Sequence, residues 1–508
     1  MSGAELPPWL APLPDAQQMR DTDAWAIEQR GIPSLDLMER AGAGLADLVT
    51  EVAPTGPVVV LCGGGNNGGD GFVAARLLHE AGRAVRVAVT TDLEKFGGDA
   101  RANLERLPDD VRPEPWDAAV LDGAAVAVDA LLGTGFSGEV REPVRSAIEA
   151  LNARGGAGVK VVACDVPSGV DASTGEVADV AVQADATATF HRAKPGLRIA
   201  PGKAHAGTVR TVDIAIPDGA PAAPRIGLIT PDAARAVPGR DAASTKFSSG
   251  HVLVVGGSTG LTGAPCLSAE AAMRAGAGYV SCGVPASLNL VFEQRLLEVM
   301  TIPLPDDDGH LVRAGADRAL EEAERRGGAL VVGPGFGRSE TAIALARELA
   351  ARAEVPLVLD ADGLNAHAGR LETLAQRGAA TVLTPHAGEL GRLLEIESKA
   401  VGARRLHHAR AAAERARAIV VLKGDDTIVA APDGRVGVSP GGAPALATAG
   451  TGDVLSGIMA AMLAKGMEPF AAACAAVRLH LDAGRTAARD RRADSVIASD
   501  VIDALGAG

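Results

Sequence analysis

The feature that most constrains the fold is an alternation of short apolar runs with segments of helical periodicity along most of the chain. Residues 16–50 come first, with apolar side chains at mixed three- and four-residue spacings that predict helices. Short β-rich runs separated by helices then predict a mostly parallel sheet with helices on both faces. The runs of this first series are residues 58–62, 85–90, 125–129, 159–165, 186–189 and 209–214.

A second series of the same kind follows a segment without periodicity. Residues 217–225 are rich in Pro and Ala, a composition typical of a linker. We therefore expect two α/β domains, residues 1–217 and 231–508, joined by a linker at residues 218–230. The runs of the second series are residues 251–256, 279–284, 329–332, 356–360, 381–384, 419–423 and 427–430.

The composition narrows the class of protein. The chain has 508 residues, of which 47% are hydrophobic, enough for at least two cores. A formal net charge of −14 argues against a surface for nucleic acid or anionic membrane. No apolar stretch approaches the ~18 residues of a membrane helix, and the N-terminus lacks the basic start of a signal peptide. Five separated cysteines without a C-x-x-C pattern fit reduced thiols, so we expect a cytoplasmic protein.

A glycine-rich turn follows the first apolar run. Residues 63–71 read Gly-Gly-Gly-Asn-Asn-Gly-Gly-Asp-Gly, and a helix is predicted at residues 72–81. The glycines match the G-x-G-x-x-G pattern of dinucleotide-binding folds in its strand–turn–helix context. A tight turn without a ligand is the alternative, since glycine is common in this chain. Asn66, Asn67 and Asp70 make the turn more polar than its geometry requires, which favours a binding site.

Two later strand ends of the first series also carry polar side chains. Asp129 ends one run, and Asp165 and Ser168 lie at the end of the next. Since the carboxyl ends of parallel strands line the ligand crevice, these groups are expected to share one site. Asn67, Asp129 and Ser168 offer hard oxygens, which suit an alkali or alkaline-earth cation. Lys194 follows a further run and is a candidate for the same site, with a position outside it as the alternative.

The second series ends in a glycine turn that leads into an apolar helix, Leu-Ala-Thr-Ala-Gly-Thr-Gly-Asp at residues 446–453. Bare backbone N–H groups at a helix N-terminus, together with the helix dipole, favour an anion. Asp453 lies on the first turn, where the dipole favours its ionised form, so it can accept a proton from a hydroxyl beside a phosphate. The pattern predicts phosphoryl transfer to an alcohol, although the chain has no P-loop motif.

Further strand ends of this series carry glycines or polar side chains. Their number favours a nucleotide and a second small ligand meeting at Asp453 over a purely structural explanation. Asp362 and Glu389 are candidates to hold Mg²⁺ through water, and solvated loop positions are the alternative for both acids. These strand ends are residues 256–263, 333–337, 360–365, 384–389 and 423–427.

Three motifs in this order resemble those of the bifunctional NAD(P)H-hydrate repair enzymes. They are Asn-Asn-Gly-Gly-Asp-Gly at 66–71, Lys-Pro-Gly-Leu at 194–197 and Ala-Thr-Ala-Gly-Thr-Gly-Asp at 447–453. The resemblance covers residues 17–502. It implies an α/β protein of two domains: an N-terminal Rossmann-like three-layer sandwich that epimerises R- and S-NAD(P)HX, and a C-terminal ribokinase-like domain that dehydrates S-NAD(P)HX with ADP or ATP.

The resemblance also implies roles for residues at matching positions. Asp165 and Lys194 become the acid/base groups of the epimerase, and Asp453 becomes the base of the dehydratase. Asn67, Asp129 and Ser168 are implied to hold K⁺, and Mg²⁺ is implied with ADP or ATP in the second domain. The implied substrate-binding residues are Asn66, Asn67, Gly68, Gly69, Asp70, Gly133, Thr134, Gly135, Phe136, Ser137, Gly138 and Glu139, followed by Ala264, Gly335 and His386. The implied nucleotide-binding residues are Lys423, Gly424, Asp425, Asp426, Thr427 and Gly452.

The implied partners are the small molecules NADHX, NADPHX, ADP and ATP, with no nucleic acid or membrane, and we expect a homo-oligomer. The chain departs from the family at Ala387 and Ala449, where Pro and Gly are usual. One rival reading is a kinase that makes a stable phosphate ester, with the first domain as its regulatory module. Another treats the first domain as a catalytically silent binding module. A persistent phosphorylated product favours the first rival, and unchanged epimer exchange after Asp165→Asn favours the second.

Overall fold

The computed structural model describes residues 6–221, 223–325 and 327–506. The chain forms two compact units, one of which comprises Pro12–Ile226. The other comprises Gly227–Gly508 together with Pro7–Ala11, because the short strand β1 (Leu10–Pro12) joins its sheet. Within the described ranges, no helix has the length and apolar character needed to cross a membrane.

The first unit is built on a parallel sheet of seven strands. Its strand order is β4-β3-β2-β5-β6-β7-β8, and every pairing is parallel. The chain order reverses between β2 and β5, which opens a crevice at the carboxyl ends of these strands. The elements are α1 (Ala16–Glu28), α2 (Ser34–Val52), β2 (Val58–Cys62), α3 (Asn66–Glu80), β3 (Val85–Val89), α4 (Gly98–Glu105), β4 (Glu114–Pro115), β5 (Val126–Ala130), α5 (Val144–Gly156), β6 (Lys160–Cys164), β7 (Ala186–Phe190), α6 (Gly202–His205) and β8 (Thr208–Val212).

Apolar side chains cover both faces of this sheet. Successive residues of a strand point to opposite faces, so Val60 packs in one cluster with Phe72 of α3, while Val59 packs in another with Leu151 of α5. All four side chains are fully buried. Burial of each contributes about 1.5–3 kcal/mol to folding, which holds the helices on both sides. The three-layer sandwich predicted from the sequence is thereby confirmed.

The second unit is built on a sheet of eleven strands, ordered β1-β9-β20-β19-β18-β17-β16-β15-β10-β11-β12. The strands from β12 to β18 pair in parallel, and β19 and β20 continue the sheet antiparallel. The elements are β9 (Ile226–Ile229), α7 (Asp232–Arg235), β10 (His251–Val255), α8 (Gly263–Arg274), β11 (Tyr279–Pro285), α9 (Asn289–Arg295), β12 (Met300–Leu304), β13 (Asp306–Asp307), β14 (His310–Leu311), α10 (Ala316–Arg325), β15 (Ala329–Val332), α11 (Glu340–Arg352), β16 (Leu357–Leu359), α12 (Ala361–Asn365), β17 (Thr381–Leu383), α13 (Ala387–Leu394), α14 (Ser398–Ala403), α15 (Arg405–Ala416), β18 (Ile419–Leu422), β19 (Ile428–Ala430), β20 (Val436–Val438), α16 (Thr451–Ala464), α17 (Pro469–Ala487) and α18 (Ala498–Ala504).

The apolar runs of both series form strands within two residues of their predicted bounds, and two other predictions were wrong. Residues 226–229 lie in the predicted linker but form β9, a strand of the second sheet, and three of these four residues are buried. The helix predicted at residues 72–81 begins earlier, at Asn66, so the Asn-Asn-Gly-Gly-Asp sequence forms its first turns rather than a loop. Gly65 precedes this helix with an extended backbone and acts as its N-cap residue.

Candidate active sites

The first unit holds a cavity of about 710 Å³ at the carboxyl ends of β2, β5, β6 and β7. It lies where the strand order reverses, the usual ligand position in open α/β sheets. Helices α1, α2 and α3 contribute much of the rest of its wall. The predicted residues that line it are Asn66, Asn67, Asp70, Gly133, Thr134, Gly135, Phe136, Ser137, Asp165 and Lys194.

An ion pair between Lys194 and Asp165 lies on the wall of this cavity. Lys194 Nζ donates hydrogen bonds to Asp165 Oδ1, to Thr189 Oγ1 at 3.0 Å and to the carbonyl of Phe190 at 3.0 Å. Only 1% of the Lys194 side chain is exposed, against 13% of Asp165. Asp165 has a positive φ of 64°, which is uncommon for a residue other than glycine and is typical of functional positions. The pair is therefore held rigidly, with the carboxylate nearer to the open space.

Asp129 and Ser168 form a second, fully buried polar cluster beside the cavity. Ser168 donates to Asp129 through its hydroxyl at 2.6 Å and its backbone N–H at 2.8 Å. Burial raises the pKa of Asp129 to about 6, and the groups that oppose this shift are hydrogen bonds from Ser168 and Leu131 rather than a basic side chain. Asn67 joins the cluster by donating its side-chain N–H to the carbonyl of Leu132 at 3.1 Å. The three predicted cation ligands are thus brought together.

Two partly buried acids on the cavity wall have raised pKa values. Burial raises the pKa of Asp23 to about 6, and burial raises the pKa of Asp70 well above its usual range. Both shifts are increased by the charge of Asp165 and reduced by that of Lys194. The sequence analysis missed Asp23 because it lies in α1, away from any strand end or glycine motif.

Four residues predicted to bind substrate do not line the cavity: Gly68, Gly69, Gly138 and Glu139. Gly68 and Gly69 lie buried in α3, where a Cβ atom on Gly68 would meet the carbonyl oxygen of Gly63 at 2.0 Å. These two glycines let the helix approach its neighbours closely. Glu139 is exposed beyond the end of the lining segment.

In the second unit, α16 begins beside the ends of the parallel strands and carries Asp453 on its first turn. The N-cap residue is Gly450, with a φ of 90° that favours glycine, so no capping side chain occupies the N–H groups of the first turn. The hydroxyl of Thr451 holds the turn by donating to the carbonyls of Leu446 at 2.8 Å and Thr448 at 2.9 Å. These uncapped N–H groups form the candidate anion hole.

The expectation that Asp453 is readily ionised was wrong. Burial raises its pKa to about 7, and the charges of Asp360 and Glu389 add to the rise while that of Lys423 reduces it. Direct contacts hold these charged groups together. Lys423 Nζ donates a hydrogen bond to Asp360 Oδ1 at 2.9 Å and lies 3.7 Å from Glu389 Oε2. A carboxyl group with a pKa near neutrality is well matched to general base catalysis.

His386 is held at the start of α13 near this cluster. Its ring accepts a hydrogen bond from Gly388 N–H, while Glu389 accepts one from its backbone N–H, so the two residues form a reciprocal cap. Ala387 is the first residue of α13 and leaves this cap intact. Glu389 is only 6% exposed. Asp362 accepts hydrogen bonds from Gly337 N–H and from Arg338, so neither candidate Mg²⁺ ligand is a solvated loop residue.

A cavity of about 270 Å³ lies beside the start of α16, between the segment after β18 and helix α17. The predicted nucleotide-binding residues that line it are Lys423, Gly424, Asp425, Thr427 and Gly452. Asp426 does not line it, and its buried carboxylate accepts a hydrogen bond from Arg405 at 3.0 Å. Ala264, Gly335, His386 and Asp453 also lie outside its lining.

The sequence analysis missed several lining residues of this cavity. Ser439, Ala443 and Pro444 follow the last strand of the sheet, and Val477 and His480 lie in the middle of α17. An ordinary helical pattern surrounds the last two, so no local motif marks them.

Both halves of the chain match known family models. Residues 34–196 match the model described as YjeF-related protein N-terminus. Residues 252–506 match the model described as NAD(P)H-hydrate dehydratase.

Curated relatives match over nearly the whole chain. The bifunctional NAD(P)H-hydrate repair enzyme Nnr of Salinibacter ruber is 41% identical, over 99% of this chain and 97% of the relative. That of Moorella thermoacetica is 38% identical, over 97% of this chain and 96% of the relative. A crystal structure of ADP/ATP-dependent NAD(P)H-hydrate dehydratase from Bacillus subtilis, co-crystallised with ATP and Mg²⁺, is 30% identical with a TM-score of 0.47 and covers 55% of this chain and 95% of its own.

These sequence matches agree with the predicted family and with an enzyme that combines an isomerase and a lyase. They also agree with the architecture of two α/β domains that the sheets show. The predictions of family, fold and bifunctional activity are therefore confirmed. The chain belongs to the family of bifunctional NAD(P)H-hydrate repair enzymes, with an epimerase domain followed by a dehydratase domain.

Proposed function

We propose that the cavity of the first domain binds the hydrated nicotinamide dinucleotide and that Asp165 and Lys194 interconvert its epimers. The carbon in question bears both a hydroxyl group and the ring nitrogen. The bond between this carbon and the ring nitrogen breaks, which turns the hydroxyl into a carbonyl, and the nitrogen then attacks the other face of that carbonyl. In the opening step Asp165 accepts the hydroxyl proton, and Lys194 gives a proton from its Nζ to the ring nitrogen. Ring closure reverses both proton transfers. Their direct hydrogen bond on the cavity wall carries this proposal.

The cluster of Asn67, Asp129 and Ser168 is proposed as the K⁺ site. Asp129 is a fully buried carboxylate among neutral groups, and a monovalent cation would neutralise it. Asn67 uses its N–H to reach the Leu132 carbonyl, which leaves its side-chain oxygen for a ligand bond. Oxygen donors of this kind suit a hard cation. The cluster adjoins Gly133 of the cavity wall, so a cation there would order the segment against which the substrate rests.

In the second domain, Asp453 is proposed as the base that activates the hydroxyl of the hydrate. It accepts the hydroxyl proton while the oxygen attacks the terminal phosphorus of ADP or ATP, and the bond to the shortened nucleotide breaks. The ring carbon–oxygen bond then breaks, inorganic phosphate departs, and loss of a proton from the adjacent carbon restores the ring double bond. The N–H groups at the start of α16 stabilise the transferring phosphoryl group. The partly buried Asp453, whose pKa lies near 7 beside the charge of Lys423, carries this assignment.

The nucleotide is proposed to occupy the cavity lined by Lys423, Gly424, Asp425, Thr427 and Gly452. Asp426 holds the segment of residues 423–427 in place through its buried ion pair with Arg405. Among the described residues, no group of three or more His, Cys, Asp or Glu side chains is placed to hold a metal ion. We propose that Mg²⁺ arrives on the nucleotide phosphates, where it would neutralise developing charge. Homo-oligomer formation and a cytoplasmic location stay predictions.

The experiment supplies a mixture of both epimers with Mg²⁺, with and without ADP or ATP, and follows the return of reduced-nicotinamide absorbance. The wild-type protein should recover nearly all of the hydrate in a nucleotide-dependent reaction. Asp165→Asn should stall once the S epimer is consumed, after spontaneous exchange is subtracted. Asp453→Asn should recover almost nothing, while it still exchanges the epimers.

Asp218→Asn is the matched control, because this exposed carboxylate forms an ion pair with Arg192 at the surface of the same domain. It should behave as the wild type. Recovery by Asp165→Asn equal to that of the wild type would remove the epimerase assignment and favour a silent first domain. A persistent phosphorylated product in the wild type would favour the kinase rival.

A further inference from the structure

His480 is a buried polar side chain that the proposed chemistry does not use. It lies in α17, lines the nucleotide cavity and is 9% exposed. Its Nε2 atom is buried without a hydrogen-bond partner within the described part of the chain. The ring is tied to the backbone of Thr451, so this bond uses the other ring nitrogen. A buried nitrogen without a hydrogen-bond partner costs folding free energy, which indicates that a bound ligand supplies the missing hydrogen bond.

The charge state of the ring decides what such a ligand must offer. Burial and, to a smaller extent, the nearby charge of Lys423 lower the pKa of His480 to about 4, so the imidazole is neutral at physiological pH. The hydrogen bond to the Thr451 backbone raises the pKa of His480, as a bond to an accepting carbonyl does, so the nitrogen that makes this bond carries the proton. Nε2 is therefore a hydrogen-bond acceptor, and its ligand must present an N–H or O–H donor.

The surroundings of His480 indicate which part of a nucleotide it meets. Val477 and Leu481, its neighbours on α17, also line the cavity and give this side an apolar surface. Lys423, Thr451 and Gly452 line the same cavity at the start of α16, and the first two also act on the His480 ring, so His480 lies where the apolar wall meets the anion hole. A nucleotide with its phosphates at that hole would place its flat base against the apolar side. The donor group that fits Nε2 is then an amino group on the edge of the base.

We propose that His480 is the residue that selects adenine, by accepting a hydrogen bond from the 6-amino group of the base. This inference rests on the proposed nucleotide site. Guanine and hypoxanthine carry a carbonyl oxygen at the same ring position, so two acceptors would face each other without a proton between them. A site built around one hydrogen bond discriminates strongly against a ligand that cannot form it.

The test compares ATP with inosine triphosphate, which replaces the amino group by a carbonyl and keeps the ribose and phosphates. Dissociation constants are measured by calorimetry with the full-length protein, and dehydratase rates are measured in parallel. The wild type should favour ATP over inosine triphosphate by at least about tenfold. His480→Leu should reduce that ratio to near one, mainly by weakening ATP binding. His480→Gln keeps an acceptor oxygen, so it should retain part of the preference for ATP. This variant tests the proposal even if the leucine variant does not fold.

Two further arms separate this role from others. Leu481→Ala alters the same wall without an acceptor, so it should weaken both nucleotides alike and keep their ratio. Comparison of ATP with 2′-deoxy-ATP tests whether the donor is a ribose hydroxyl instead. If His480→Leu leaves the ATP to inosine triphosphate ratio unchanged, or abolishes only the preference over 2′-deoxy-ATP, the proposal is overturned. A wild type that binds ATP selectively but dehydrates nothing would overturn the proposed function and leave the role of His480 standing.

Discussion

Lys423 donates a hydrogen bond of 2.9 Å to Oδ1 of Asp360, and the two charges act in opposite directions on the carboxyl group of Asp453. The charge of Asp360 raises the pKa of Asp453, whereas that of Lys423 lowers it. Together with burial and Glu389, they leave that pKa at about 7. The proposed base of the dehydratase thus depends on an ion pair between a buried carboxylate at the end of β16 and a partly buried lysine at the end of β18.

The pH dependence of the dehydratase should follow this balance. Because only ionised Asp453 accepts a proton, kcat/KM should rise with pH through about 7. Asp360→Asn removes a negative charge that raises the pKa of Asp453, so the acidic limb of the profile should move to lower pH. Asp362→Asn is the control, since Asp362 is not among the groups that shift Asp453. The profile is measured as the return of reduced-nicotinamide absorbance at saturating nucleotide, and a limb that stays in place in Asp360→Asn would contradict the assignment.

The sequence predicted most of the strands and many of the site residues for the same physical reason. Buried parallel strands require uninterrupted apolar runs, and their carboxyl ends carry the polar groups of the crevice, as Asp129 and Asp165 show. Short edge strands such as β4, β13 and β14 escaped prediction because two residues are too few for a pattern.

Tertiary packing determined the start of α3 and the cavity positions of Asp23 and His480, which local sequence patterns do not show. Asn and Gly favour turns over helices, yet α3 begins at Asn66, because Gly68 and Gly69 fit close against neighbouring backbone and side chains. Asp23 and His480 were missed for a related reason. Each lies within a regular helix, and only the fold brings it to a cavity.

Potassium should control the first active site and leave the second unchanged. Replacement of K⁺ by N-methylglucamine should slow epimer exchange by the wild type, because buried Asp129 then lacks its cation. Asp129→Asn removes the charge that attracts the cation, so its residual exchange should no longer respond to K⁺. The dehydratase rate of the same samples on the pure S epimer is the internal control and should stay constant. Epimer exchange that is equally fast in both salts would refute this cation site.

Asp23 should make the stability of the protein depend on pH. Its pKa is raised by burial from 3.8 in the unfolded chain to about 6 in the folded one, so the folded state binds the proton more tightly. Stability is therefore greatest below the unfolded pKa and falls as pH rises through about 6, by up to about 3 kcal/mol for this group. Asp23→Asn should raise the urea midpoint at pH 8 and leave it nearly unchanged at pH 4.

Asp21→Asn provides the comparison, because Asp21 is an exposed carboxylate on the same helix. Its midpoint should differ little from that of the wild type at either pH. A stabilisation by Asp23→Asn that is equal at both pH values would show that the effect comes from packing rather than from ionisation.

The close approach of α3 to the preceding turn should be sensitive to a single methyl group. A Cβ atom on Gly68 would lie 2.0 Å from the carbonyl oxygen of Gly63, a backbone atom that cannot rotate away, whereas one on Gly65 would meet nothing within 4 Å. Gly68→Ala should therefore lower the free energy of unfolding of the first domain by about 1–3 kcal/mol or more, and Gly65→Ala by less than about 1 kcal/mol through the weaker N-cap. Urea denaturation of the two variants, followed by fluorescence, measures the difference. Equal midpoints would mean that α3 does not lie against the turn as the structure has it. The placement of Asn67 in the proposed cation site would then be wrong as well.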